Sequence, residues 1–350
     1  MKHTKESAQL LKAEQEKKKG RAWAGSLIIL GGTGLLLLLM AFSITKGAAE
    51  IPLSVIGDVL FRFDSMNTQH LIIVDFRLPR VIASAMVGAA FAVAGAIMQG
   101  ITRNPLADSG LLGLNAGAGF ALSLCFAFFP GMGYMQVIFF SFLGAALGAA
   151  LVNGIASMRR GGATPMRLVL AGAAVSALLI ALSQGIALYF EVAQDIMFWT
   201  VGGVAGSNWV QIKIMTPWIL GALLGAMILS RSISLLSLGE EVAKGLGLNT
   251  LTISLLCSLI VVILAGASVA VVGAVGFVGL IIPHIVRYLV GVDYRWIIPS
   301  SAVMGALLMV LADLGARRLN PPFETPVGAL IAVVGVPFFL YLARRQKRAL

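Results

Sequence analysis

The sequence predicts an all-α polytopic membrane protein with about ten transmembrane helices. Three observations carry that prediction. Hydrophobic residues make up 59% of the 350 residues and charged residues only 12%, against roughly 25% in a soluble domain. Mean hydropathy is +0.94. Apolar runs of membrane-spanning length recur from end to end, and a soluble core of this size could not bury them. A water-soluble enzyme is excluded at this step. The 40 glycines suit helices that approach one another closely in lipid.

The elements follow in order. Residues 1–22 are a Lys-rich tail. The apolar run from Ala22 to Ile44 exceeds the roughly 7–15 residues of a secretory h-region and is the first span, 23–45. Residues 50–64, EIPLSVIGDVLFRFD, place Pro52 near a helix start with apolar residues at helical spacing, which predicts a short amphipathic helix on the outer surface. Further spans are predicted at 79–101, 111–129, 135–157, 166–190, 210–230, 250–270, 273–291, 297–316 and 326–343. The spanning domain is 23–345, and 346–350 is a short basic tail.

An even number of spans puts both termini on one side, and the basic tails make that side the cytoplasm. The net charge of +11 therefore reads as positive-inside bias and lipid contact, not as a nucleic-acid footprint. By parity the inside holds Arg103, Arg159, Arg160, Arg167, Arg231, Lys244 and Arg295. The outside holds Lys46, Arg62, Arg77, Arg80, Lys213, Arg317 and Arg318, and these external arginines stand out against the rule. Residues 87–97, VGAAFAVAGAI, are echoed by 265–275, AGASVAVVGAV, in two spans of opposite direction. Such an echo is the mark of an inverted repeat.

Several chemistries are missing. There is no G-x-x-x-x-G-K-[ST], H-E-x-x-H or G-x-S-x-G sequence, so no P-loop, zinc-protease or nucleophile-elbow chemistry is expected. His3, His70 and His284 are scattered, and neither a metal site nor a cofactor is expected. Cys125 and Cys257 sit in apolar runs as packing residues. Asp108, Glu191, Asp195, Asp293 and Glu324 fall in loops or at span ends, and Asp313 lies near the outer end of its span. An ion-driven carrier needs a midplane carboxylate; none is expected here, so the driving force should come from another polypeptide.

Between spans six and seven, residues 231–249 form a cytoplasmic loop. In it, Ser237-Leu-Gly-Glu240 has capping-box spacing, and Gly245 suits the position that ends a two-turn helix. Such a helix is marginal alone and needs a surface to pack on. At the outer start of span two, Arg77 and Arg80 flank Leu78-Pro79, where Pro fixes a first helical turn. Interfacial snorkelling is the plainer account of these arginines. In span five, Gly172, Ser176, Ser183 and Gln184 form a polar stripe, facing either a neighbouring helix or a water-filled path.

Three segments carry a resemblance. They are Phe76-Arg-Leu-Pro-Arg80 with the following VGAAFAVAGAIMQGITRNPLADSGLLGLNAGA, then Leu238-Gly-Glu-Glu-Val-Ala-Lys-Gly-Leu-Gly247, then GAVGFVGLIIPHIVRYLVG with Asp293-Tyr-Arg295. Together they resemble the permease subunits of binding-protein-dependent ABC importers for iron-siderophores, haem and vitamin B12, over nearly the whole chain. The resemblance implies a ten-helix permease that is not itself an enzyme. It implies a second permease subunit, identical or homologous, two ATP-binding cassette subunits and an extracytoplasmic binding protein. It assigns Gly239, Glu240, Glu241, Lys244, Gly245 and Gly247 to ATPase coupling. It assigns Arg77, Arg80 and Arg317 to docking of the binding protein through acidic residues. It makes Asn104-Pro-Leu106 and, more loosely, Thr164-Pro-Met166 the cytoplasmic gate, although Pro alone explains both turns. It places Ser176, Ser183 and Gln184 along the pathway. Iron(III)-siderophore is the expected substrate, with haem or cobalamin as alternatives in the same family. A stand-alone secondary carrier is the rival of another class.

Overall fold

The computed structural model describes residues 2–47, 50–158, 165–201, 203–320 and 323–346. The chain runs α1 (Lys2–Thr45), α2 (Leu53–Phe61), α3 (Thr68–Leu71), a π-helical turn (Ile72–Arg77), α4 (Leu78–Thr102), a 3-10 turn (Ser109–Leu112), α5 (Leu114–Phe128), α6 (Tyr134–Ser157), α7 (Pro165–Tyr189) and α8 (Ala193–Val201). A second 3-10 turn (Gly203–Gly206) leads to α9 (Trp209–Ser237), α10 (Glu240–Gly245), α11 (Thr250–Val272), α12 (Val278–Val290), α13 (Tyr294–Leu319) and α14 (Val327–Gln346). No strand occurs among the described residues.

Seven helical stretches are long and apolar enough to cross a membrane, and the shorter apolar helices α5, α12 and α14 bring the described set to ten. These are the ten spans expected. The helix predicted on the surface at 50–64 is α2, entered at Pro52. Leu, Ile and Val crowd the outward faces of α7, α9 and α11, where lipid rather than water is the solvent.

The centre is α4. It is buried along most of its length and packs against α13, α11, α9, α12 and α1. Its run of Gly and Ala makes this possible. A Cβ added at Gly88 would collide with the Gly305 carbonyl of α13, and one at Gly95 with Gly279 of α12. Small residues at both faces bring the backbones together, as helices in lipid require. The echoed segments fall on α4 and on the end of α11 with the residues just after it, and these two helices pack together.

Two spans depart from the sequence reading. The predicted span 111–129 is shorter, because a 3-10 turn and Gly113 at φ +71° precede α5. The predicted span 273–291 keeps only the 13 residues of α12. Gly273 at φ +77° ends α11, and Phe277 at φ +68° opens α12. Pro283 does not break that helix; it lies inside it. Having no N–H, Pro283 leaves the Gly279 carbonyl unbonded within the helix. The Gln99 amide of α4 donates to that oxygen at 3.2 Å, which satisfies it inside the bundle.

Candidate coupling, gate and docking sites

At one end of the bundle, α10 is built by its flanking glycines. The expected capping box does not form. Gly239 takes the N-cap position at φ +126° without a side-chain cap, and the Ser237 hydroxyl donates to the Ser234 carbonyl instead. Gly245 remains helical; Gly247, at φ +81°, ends the helix. Its N–H donates to Lys244 O at 2.9 Å and the Leu248 N–H to Ala243 O at 3.0 Å, the paired bonds of a Schellman turn. Ala243 is buried and packs the helix down onto α9 and α11. Val242 and Leu246, four residues apart, stay exposed on one face of the helix, and Leu238, just before the Gly239 turn, is exposed as well. Glu240 pairs with Lys244 at 2.8 Å. That hydrogen bond holds its carboxyl below the ordinary range. Glu241 is exposed.

The turn after α4 lies at the same end. Arg103, at φ +52°, approaches Gly239, where an added Cβ would sit 3.8 Å from its terminal nitrogen. Asn104 Oδ1 accepts the Leu106 N–H at 3.0 Å, and the Ala107 N–H donates to Asn104 O at 3.1 Å. Both Asn104 and Leu106 are half-buried. Thr164 lies outside the described residues; Met166, in the first turn of α7, is 68% exposed.

Asp108 lies in the loop after α4, as expected, half-buried at the head of the 3-10 turn, but sequence reasoning missed where it packs. Its side chain accepts the Ser109 N–H at 2.8 Å and packs on Gly279, at the start of α12. Gly279 in turn lies against the carbonyl of Phe91, midway along α4. Sequence reasoning also missed the buried cluster that fixes the other end of α12. There Arg287 donates to Gln99 Oε1 and to the Tyr294 hydroxyl, each at 3.2 Å. Ser234 accepts the Tyr294 N–H at 2.9 Å and so ties α9 to α13. Nothing in the local sequence links residues 99, 234, 287 and 294.

At the opposite end, the length of α4 away, stand the three arginines. The π-helical turn sets Arg77 and leaves the Val74 carbonyl free to accept the Trp209 indole N–H at 2.8 Å. The sequence reading places all three arginines on an open outer surface; the structure turns them inward. Arg77 is 7% exposed and donates to Ile44 O at 2.6 Å. Arg80 is 8% exposed. Its Nε donates to Asp313 at 2.8 Å, and its two terminal nitrogens donate to the two oxygens of Glu324, each at 2.7 Å. Arg317 meets Asp313 Oδ2 as an ion pair at 2.9 Å, and it donates to Lys46 O at 2.9 Å, Ser43 O at 3.2 Å and the Ser43 hydroxyl. The physical reason is that Asp313 is wholly buried and needs cationic partners. The Arg80 hydrogen bond holds the Glu324 carboxyl below the ordinary range.

Beside Arg80 and Glu324 opens a cavity of about 600 Å³, walled by α8, the Gly203–Gly206 turn and the first turns of α9 and α14. None of the polar stripe of α7 lines it. Ser183 donates weakly to the Gly119 carbonyl of α5 at 3.3 Å, and Ser176 is half-buried. Gln184 is exposed on the open face of the helix. The stripe therefore divides between a neighbouring helix and an uncovered surface. His284 packs its ring on Phe338 at 5.8 Å. Among the described residues no three His, Cys, Asp or Glu converge as metal ligands.

Comparison with known proteins gives this architecture its place. The model of the FecCD transport family matches residues 35–345. The iron(3+)-hydroxamate import system permease protein FhuB of Bacillus subtilis is 52% identical over 332 residues, covering 94% of this chain and 86% of that protein. The hemin transport system permease protein HmuU of Yersinia pestis is 36% identical, covering 90% and 95%. A solved structure described as an inward-facing conformation of a metal-chelate type ABC transporter superposes with a TM-score of 0.78 at 31% identity, covering 91% of this chain and 99% of that one. A family match over nearly the whole length, together with the ten apolar helices, shows that the chain belongs to the FecCD transport family.

Proposed function

We propose that the chain is the membrane-spanning permease of an ABC importer, carrying a ferric hydroxamate-type siderophore across the cytoplasmic membrane with both termini inside. The observation that carries the reading is α10. A short helix held between two spans exposes apolar Val242 and Leu246 beside Glu241, with exposed Leu238 just before it. An exposed apolar face on a helix this short calls for a partner surface. A separate ATPase fits, since the chain carries no P-loop sequence. The permease itself performs no hydrolysis; it couples closure of its ATPases to alternating access.

The Asn104-Pro-Leu106 turn, adjoining Gly239 through Arg103, is the proposed cytoplasmic gate, and Thr164-Pro-Met166 is its proposed second part. A second permease subunit completes the path, toward which Ser176 and Gln184 turn. At the far end, Arg77, Arg80 and Arg317 receive acidic residues of a soluble binding protein. Hydroxamate is preferred over haem because the hydroxamate permease is the nearer of the two relatives, 52% against 36% identical. The test is uptake by reconstituted vesicles supplied with ferric hydroxamate or with haem, each with its own binding protein. Hydroxamate-selective uptake supports the assignment; haem-selective uptake overturns its substrate.

A further inference from the structure

The three-sided fork of Arg80 is held by two carboxylates of different standing. Asp313 is on α13 and fully buried. Glu324 lies on the 323–326 link into α14, with 53% of its side chain exposed. Arg80 and Arg317 both bear on Asp313, and Glu324 supplies the second carboxylate that meets Arg80. That link also walls the cavity of about 600 Å³, through Glu324, Thr325, Pro326 and Val327.

We propose that Glu324 is a resident stand-in for a carboxylate of the binding protein, and that its displacement from Arg80 releases the 323–326 link and opens the cavity toward the arriving substrate. The proposal rests on the docking reading above. A guanidinium fork bound bidentately is a carboxylate site, and only one of its two occupants is fixed in a helix. Exchanging one carboxylate for another conserves charge and hydrogen bonds, so Arg80 never stands buried and unpaired. Removing Glu324 without a replacement leaves two arginines on Asp313 alone. The link therefore closes again when the partner leaves. The docking arginines are masked until a partner of the right charge and shape reaches them, which separates productive docking from random encounter.

The experiment uses the assembled transporter in nanodiscs. It reads the dissociation constant for the binding protein, and the labelling rate of a cysteine at position 325 by a membrane-impermeant maleimide. Cys125 and Cys257 are buried and serve as slow internal references. In the parent, labelling should be slow alone and fast with binding protein. Glu324→Gln should label fast without it and bind it at least about threefold tighter. Glu324→Asp, which keeps the charge on a shorter arm, should fall between and guards against loss of fold. Arg80→Gln placed on Glu324→Gln should abolish the gain. If Glu324→Gln binds no tighter while Arg80→Gln weakens binding, docking stands and the stand-in role is wrong. If no Arg80 variant alters affinity, the docking reading falls and the displacement falls with it.

Discussion

Gly95 of α4 and Gly279 of α12 are in backbone contact, so that a Cβ on either would run into the other helix or its neighbours. The broken helix α12 is therefore clamped to the centre of the bundle. Gly95→Ala should lower the apparent unfolding temperature, as overpacking typically costs about 1–3 kcal/mol and more where backbone cannot yield. Gly119→Ala and Gly185→Ala, where nothing lies within 4 Å, should leave it unchanged. Thiol reactivity of the buried Cys125 and Cys257 on heating provides the readout.

The coupling helix gives a second prediction. Val242→Ser with Leu246→Ser should leave folding intact, because both side chains are exposed. If this face is buried against an ATPase, each change forfeits roughly 1–2 kcal/mol of apolar burial. The ATPase should then dissociate at least about tenfold more readily. Glu240→Lys with Glu241→Lys should abolish uptake while the protein remains inserted. Co-purification of the ATPase checks both, and undiminished co-purification would return α10 to an ordinary connecting turn.

Arg317 offers a contrast with its neighbour. Arg317→Lys keeps the charge and loses the fork that reaches Ser43, Lys46 and Asp313 together. Losing buried charge-assisted hydrogen bonds of this kind costs about 1–3 kcal/mol. Arg318 is exposed, and Arg318→Lys should be neutral. Thermal unfolding of the two variants side by side checks the difference.

The Glu324 bridge should resist acid. Its folded carboxyl titrates below the ordinary range because of the Arg80 hydrogen bond. A depressed carboxylate contributes stability above its unfolded value, near 4.3, and that contribution is lost as pH falls through the lower folded value. Labelling of a cysteine at 325, corrected for thiolate ionisation, should therefore be flat from pH 8 to 5 and rise only below about 4. A rise between pH 7 and 5 would show that the Glu324 carboxyl is not held below the ordinary range, and fast labelling at every pH that the bridge is absent.

The long spans were legible because an apolar run announces itself locally: α6, α7, α9 and α11 all start within a residue of the sequence reading. What escaped depends on contacts remote in sequence. Asp313 and Glu324 meet Arg80 across 233 and 244 residues, so charges assigned to the outer surface proved to be internal. The break before α12 was signalled by the glycines at 273 and 276, and Gly273 and Phe277 make it with positive φ. Asp108 is the loop residue it reads as, but its neighbour Gly279 belongs to another helix and could not be read locally. At α10 the capping spacing of Ser237 and Glu240 was genuine sequence signal, but Gly239, free to take φ +126°, formed the entry instead.

Ferric hydroxamate uptake should be measured in vesicles containing the assembled transporter and its binding protein, with ATP supplied to or withheld from the ATPase. An importer permease powered by a separate ATPase should give uptake only with ATPase, ATP and binding protein together, indifferent to collapse of proton and sodium gradients. Uptake by the permease alone, driven by an ion gradient, would contradict it.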